Sequence, residues 1–414
     1  MRTVKIQGSW KFCIEQCQAS CSELKAKLSE RVQLDTNAAV HHIDQNVETI
    51  INRDLVQDIH QWLSPPDSSI NQNEAYEKHQ SGTCSWFLTG DQYIKWKDTP
   101  GFLWVKGKAG CGKSILSSLI IDDLSKNSAF NMAYFFFDSR DGQSDLQLYN
   151  KLIRCLISQF ANMHQKGVPV ELANLYKNSK SQQSLDKNLE NILDIILSRL
   201  SHTYIVIDAL DECTERRKTL DWLLKLVQKT SNTVHILVTS RPLLDIEKAF
   251  KKPDILSVNI EEKAVNSDIA KYLKVQMKSK FEDFEESTIV KIESVLTEKA
   301  EGSFRWISLQ LNALENCQSK AEILKQLERL PKDLNATYNK MLQAIDTNYI
   351  ADTMAFLQWL AFSLRPMTVA ELADIITIDF DSPNGPVFNK EKRYNNPQSV
   401  LVRCSGLVNE ANGK

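Results

Sequence analysis

The run Gly107-Lys108-Ala109-Gly110-Cys111-Gly112-Lys113-Ser114 constrains this chain more than any other stretch, because its glycines, ammonium group and hydroxyl are spaced to wrap a polyphosphate. It follows the apolar run Phe102-Leu103-Trp104-Val105 and precedes the apolar-periodic Ile115-Leu116-Ser117-Ser118-Leu119-Ile120. A strand therefore hands over to a helix there, as a P-loop requires. The glycines let backbone N–H groups face the phosphates, and the positive end of the following helix favours the same anion. Lys113 is placed to reach the outer phosphates and the Ser114 hydroxyl to ligate magnesium. A Gly-rich turn with no ligand is the bland alternative, and the flanking strand and helix count against it.

Further short apolar runs extend the pattern. Met132 to Phe137, Tyr204 to Ile207, His235 to Val238 and Ile255 to Val258 are nearly continuous in apolar residues, as strands buried on both faces should be. Between them Leu189, Ile192, Leu193, Ile196 and Leu200 recur at helical spacing. The alternation predicts an α/β fold with a parallel sheet and right-handed crossovers. From about Asn266 onward the sequence turns mostly helical, which marks a domain boundary. Upstream, Val40 to Leu63 carries a helical apolar stripe that stops at Ser64-Pro65-Pro66-Asp67, with a polar linker following. Cys13, Cys17 and Cys21 lie four apart on one helical face; with no fourth ligand evident, small buried thiols explain them more simply than a metal centre does.

The strand Tyr204-Ile205-Val206-Ile207 ends in Asp208, with Asp211 and Glu212 close behind. A carboxylate at the C-terminal edge of a parallel sheet can hold the magnesium shell beside the P-loop. A solvated acidic turn is the competing reading. The next strand ends in Thr239-Ser240-Arg241-Pro242, where a guanidinium could meet a phosphate bidentately or form an ordinary salt bridge; the residues alone leave both open.

Length and composition bound the partners. The 414 residues suffice for two to four domains, and 50 basic against 52 acidic residues, a net charge of −2, leave no electrostatic footprint for nucleic acid or anionic lipid. Nine scattered cysteines read as reduced thiols in a cytoplasmic protein. No apolar stretch suits a signal peptide or a membrane span. The seven histidines end at His235 in no zinc-like spacing, and no Ser-His-Asp or Cys-His pairing is arguable.

Taken together these residues resemble the NACHT branch of the STAND signalling ATPases, and most closely the fungal NACHT proteins of non-self recognition and programmed cell death. The likeness runs from about Leu55 to Val408. It rests on Trp62-Leu63-Ser64-Pro65-Pro66-Asp67, Gly82-Thr83-Cys84-Ser85-Trp86-Phe87-Leu88, the P-loop, Ile207-Asp208-Ala209-Leu210-Asp211-Glu212 and Thr239 to Pro242. Gly302-Ser303-Phe304-Arg305-Trp306, Leu330-Pro331-Lys332-Asp333-Leu334 and Arg365-Pro366-Met367-Thr368-Val369-Ala370-Glu371-Leu372 complete it.

The resemblance implies an α/β P-loop NTPase with a parallel sheet, followed by a helical bundle and a partial winged-helix domain. The corresponding domains are a helical N-terminal extension and linker (1–75), a nucleotide-binding domain (76–265), a helical domain (266–350) and the partial winged helix (351–414). It also implies an ATP/ADP switch with Mg2+, self-associating when ATP-bound and coupled to a downstream effector. Gly107 to Ile115 would hold the nucleotide; Ser114 and Asp208 would hold the metal. Asp211 would orient water beside Glu212, and Arg241 would sense phosphate. Ala209 stands where many hydrolytic ATPases carry a catalytic Glu, so hydrolysis is expected to be slow. Alternatives are a hydrolytic remodeller or helicase, and a nucleotide-dependent scaffold or decoy. Phe304 replaces the Pro with which relatives often contact adenine. No histidine follows His235 to touch the ADP phosphate, so ready ADP exchange is expected. Thr368-Val369-Ala370-Glu371 has the capping-box pattern and predicts a helix start.

Overall fold

A computed structural model describes residues 22, 24–25, 27–29, 31, 54–139, 145–163, 168–179, 186–230, 233–260, 262–363, 365, 367–380, 382–383, 385–404, 407–408 and 410. Cys13, Cys17 and Cys21 lie outside these residues, as does the 40–53 part of the expected N-terminal helix. Its 54–63 part is helical and is α1. Backbone contacts divide the chain into two compact units, one of Met1–Trp62 with His164–Ser181 and one of Leu63–Met163 with Gln182–Lys414. In the first, the ring of Trp62 meets Tyr176 of α7 (Val170–Ser179) edge-on at 5.8 Å.

The second unit opens with α2 (Ser69–Glu77), α3 (Ser85–Leu88) and α4 (Asp91–Asp98). β1 (Gly101–Lys106), α5 (Lys113–Ser125), β2 (Asn131–Phe136), α6 (Tyr149–Asn162), α8 (Asp186–Arg199) and β3 (Thr203–Asp208) follow. Next come α9 (Arg216–Thr230), β4 (Val234–Ser240), α10 (Leu244–Phe250) and β5 (Ile255–Asn259). The five strands form a parallel sheet in the order β2-β3-β4-β1-β5. β3 and β4, at its centre, are buried at every position, which is why their sequences read as unbroken apolar runs. The expectation of double burial fails for Ile255 to Val258: β5 is an edge strand in which Ile255 is buried, Leu256 and Val258 are partly covered and Ser257 is exposed.

The helical stretch begins at Glu262, slightly before Asn266, and comprises α11 (Glu262–Lys280), α12 (Glu286–Lys299), α13 (Phe304–Glu315), α14 (Lys320–Glu328) and α15 (Leu334–Gln343). Ile269, Leu273 and Met277 of α11 and Trp306, Ile307 and Leu311 of α13 share one apolar core with Leu103 and Val105 of β1. Burying such side chains is worth roughly 1.5–3 kcal/mol each, so helices and sheet stabilise one another. A smaller core gathers Phe356 of α16 (Ile350–Phe362), Val369 and Leu372 of α17 (Val369–Asp374) and Val400 of α18 (Ser399–Arg403). A short antiparallel pair, β6 (Ile378–Asp379) and β7 (Val387–Phe388), lies between the last two helices in sequence. The helix start read at Thr368 is present: its hydroxyl accepts from the Glu371 N–H at 3.2 Å, and the Glu371 carboxylate accepts from the Thr368 N–H at 2.9 Å. Leu407 and Val408 form a bend.

Candidate functional site

The loop between β1 and α5 folds as its glycines demand. Gly110 and Gly112 adopt φ of +75° and +96°, a left-handed region costly for residues with a Cβ. The Gly107 N–H donates to the Ser240 carbonyl at 3.2 Å, fixing the loop to the end of β4. A Cβ on Gly107 would come within 2.7 Å of the Cys111 sulfur, so the loop closes around an inward thiol that is 6% exposed. Burial pushes that thiol's pKa up, and the nearby Lys113 only partly opposes the shift. Lys113 folds back over the loop, donating to the carbonyls of Gly107 and Lys108 at 2.9 and 3.0 Å. Gly112 caps the start of α5, and Ala109, Gly110, Lys113, Ser114 and Ile115 line a cavity of about 620 Å³.

Asp208 ends β3 on the floor of this region and is 1% exposed. Three hydroxyls converge on its carboxylate: Ser114 Oγ at 2.6 Å, Ser117 Oγ at 2.7 Å and Thr239 Oγ1 at 2.6 Å. Ser117 follows Ser114 on the same face of α5, and Thr239 comes from the neighbouring strand. Neither was singled out from sequence, since a lone hydroxyl has no spacing signature. Ala209 takes φ +54° and donates its N–H to Thr239, so the chain turns sharply away after the carboxylate. Hard oxygen donors from Ser114 and Asp208 side by side suit magnesium, which commonly uses one or two protein oxygens plus phosphates and water. Among the described residues no group of three or more His, Cys, Asp or Glu forms a dedicated metal cage.

Asp211 and Arg241 meet. The Arg241 Nε lies 3.0 Å from one Asp211 oxygen, and the Arg241 backbone N–H donates to the other at 2.9 Å. The salt-bridge alternative for Arg241 is therefore the geometry present, with the guanidinium half exposed at the cavity wall. Glu212 lines the same wall; its carboxylate accepts the Ser139 N–H at 2.7 Å, while burial holds its pKa above the usual carboxylate range.

The remaining wall comes from the helical stretch, where the resemblance puts Phe304 near the nucleotide. Ser303 caps α13, and the Arg305 N–H reaches the Gly110 carbonyl at 3.4 Å. A Cβ on Gly110 would lie 2.7 Å from Arg305 Cβ and 2.9 Å from Ser303 Oγ, and one on Gly112 would lie 3.8 Å from the Phe304 ring. Phe304, where relatives often have Pro, thus packs on the loop as an apolar cover.

Residues 82–241 match the family model described as Nephrocystin 3, N-terminal. The chain is 28% identical over 323 residues, 73% of its length, to the vegetative incompatibility protein HET-E-1 of Podospora anserina. It is 33% identical over 105 residues, 25% of its length, to the azaphilone pigments biosynthesis cluster protein L of Monascus ruber. It spans only 23% and 22% of these two relatives. Among solved structures, Cdc6p from Pyrobaculum aerophilum aligns with a TM-score of 0.39 at 10% identity, over 73% of this chain and 82% of that one. The Aeropyrum pernix Orc1 protein in complex with DNA aligns with a TM-score of 0.34 at 11% identity, over 74% and 75%. Overlaps of that size carry no argument about site or activity. The chain is thus similar to the Nephrocystin 3 N-terminal family over part of its length and to HET-E-1 over most of it.

Proposed function

We propose that this chain is an ATP/ADP switch of the NACHT type that binds its nucleotide with Mg2+ through Gly107 to Ile115. The observation that carries the reading is the pairing of a P-loop on a strand-to-helix turn with the buried Asp208, whose carboxylate lies 2.6 Å from the Ser114 hydroxyl. Ser114 and Asp208 hold the ion, which when bound neutralises phosphate charge. Ser117 and Thr239 would keep the Asp208 carboxylate positioned beside Ser114 to hold it. Lys113 exchanges its two carbonyl partners for phosphate oxygens.

In this reading Arg241 leaves Asp211 for the terminal phosphate of ATP, which frees Asp211 to orient water. The raised pKa of Glu212 suits a group that takes up a proton during slow hydrolysis. Residues 76–265 bind nucleotide, 266–350 close over it as a helical domain, and 351–414 form the partial winged helix, behind the 1–75 extension. Self-association when ATP-bound, a downstream effector, a cytoplasmic location and a role in non-self recognition or cell death belong to the same proposal. The name of HET-E-1, a vegetative incompatibility protein, lends the last of these its support.

A thermal-shift titration tests the core of the reading. Mg-ADP or Mg-ATP at about 100 times its dissociation constant should stabilise the wild type by roughly 2.7 kcal/mol. Lys113→Ala should lose most of that gain; an equal response from both proteins would refute the assignment.

A further inference from the structure

The cations around the cavity differ in how their charge is met. Arg241 is paired with Asp211 at 3.0 Å, Lys108 lies 4.0 Å from Glu301, and Lys78 lies 3.9 Å from Glu74. Arg305, on the wall made by α13, has no such acid: its Nε donates to the neutral Tyr338 hydroxyl at 3.2 Å, and its terminal nitrogens have no partner among the described residues. Its stem starts against the phosphate-binding loop, since a Cβ on Gly110 would lie 2.7 Å from Arg305 Cβ. Lys113 lines the same cavity, and its ammonium donates to two backbone carbonyls. Among the described residues, two cations of this cavity wall thus stand without a carboxylate partner, and the Phe304 ring packs beside the loop that carries one of them.

Resting on the nucleotide-site reading above, we propose that Arg305 binds the phosphate chain of the nucleotide from the helical side of the cavity. A guanidinium fork meets phosphate oxygens bidentately, and the free terminal nitrogens are the ones such a bond uses. The Tyr338 hydroxyl holds Nε and leaves that fork available. A nucleoside di- or triphosphate satisfies both Lys113 and Arg305, whereas a nucleoside without phosphates satisfies neither.

Affinities of Mg-ADP, Mg-ATP and adenosine, measured on the full chain for wild type, Arg305→Gln, Arg305→Lys and Lys113→Ala, test this. Arg305→Gln should bind ADP and ATP tenfold or more weakly while adenosine binding stays within twofold. Arg305→Lys, which keeps the charge and loses the fork, should fall between wild type and Arg305→Gln, and supplies the comparison if the Gln variant does not fold. ADP affinity unchanged in Arg305→Gln, or parallel losses for ADP and adenosine, would overturn the proposal and make Arg305 a support for α13 alone. Lys113→Ala binding ADP as well as wild type would instead overturn the nucleotide-site reading, and this proposal with it.

Discussion

Gly110 carries two constraints at once: a left-handed backbone and the stem of Arg305 where a side chain would begin. Gly110→Ala should therefore destabilise the protein by about 1–3 kcal/mol, the usual cost of a strained backbone residue. Urea unfolding would measure it, and a change under about 0.5 kcal/mol would mean that α13 does not pack on the loop as described. At this scale the sequence was informative where chemistry is local. Lys113 and Ser114 follow from one spacing, and Asp208 from its place at a strand end. Ser117, Thr239 and Arg305 stayed illegible because their contacts with Asp208 and Gly110 arise only when α5, β4 and α13 meet β3 and the loop. Arg241 was left between phosphate and salt bridge, and the structure shows it on Asp211.

The elements were legible in proportion to their burial. β3 and β4 sit mid-sheet and announce themselves as continuous apolar runs; the edge strand β5 carries the same composition but keeps only part of it covered. Among the helices, the starts of α5, at the phosphate loop, and α17, from the Thr368 and Glu371 spacing, could be read directly. That cap makes a pH-dependent prediction. The Arg365 guanidinium, with help from the Thr368 N–H, holds the Glu371 carboxyl down to about 2. Its folded pKa lies below the unfolded value of about 4.3, so the contribution to stability is full above that value and is lost as the pH falls through about 2. Carboxyl NMR titration of Glu371 should find this midpoint, and Arg365→Gln should move it upward; an unmoved midpoint would assign the shift elsewhere.

Across the second unit, one buried carboxylate ties distant segments together. Asp268 on α11 is 2% exposed and accepts from the Cys84 N–H at 2.7 Å, the Trp86 indole at 3.1 Å and Lys271 at 3.0 Å, while Lys271 also donates to the Gly82 carbonyl. Replacing it by Ala strands two partly buried donors, so Asp268→Ala should cost about 1–3 kcal/mol, and Asp268→Asn less. Denaturant midpoints of the two variants would check the order. This bond joins residues 184 positions apart, and nothing local in either segment signals it.

The sheet order also sets a timetable for the ribosome. β1 pairs only with β4 and β5, and the Gly107 N–H needs Ser240, so the phosphate loop has no scaffold until more than 130 further residues have been made. At about 5–20 residues per second that wait lasts roughly 7–27 s. Throughout it, the Phe102-Leu103-Trp104-Val105 segment must travel unpaired or under a chaperone's cover. Nascent chains arrested before Val234 emerges should therefore be aggregation-prone and unable to retain nucleotide, whereas chains arrested well after Asn259 should hold it. Capture on the ribosome before β4 has appeared would contradict that order.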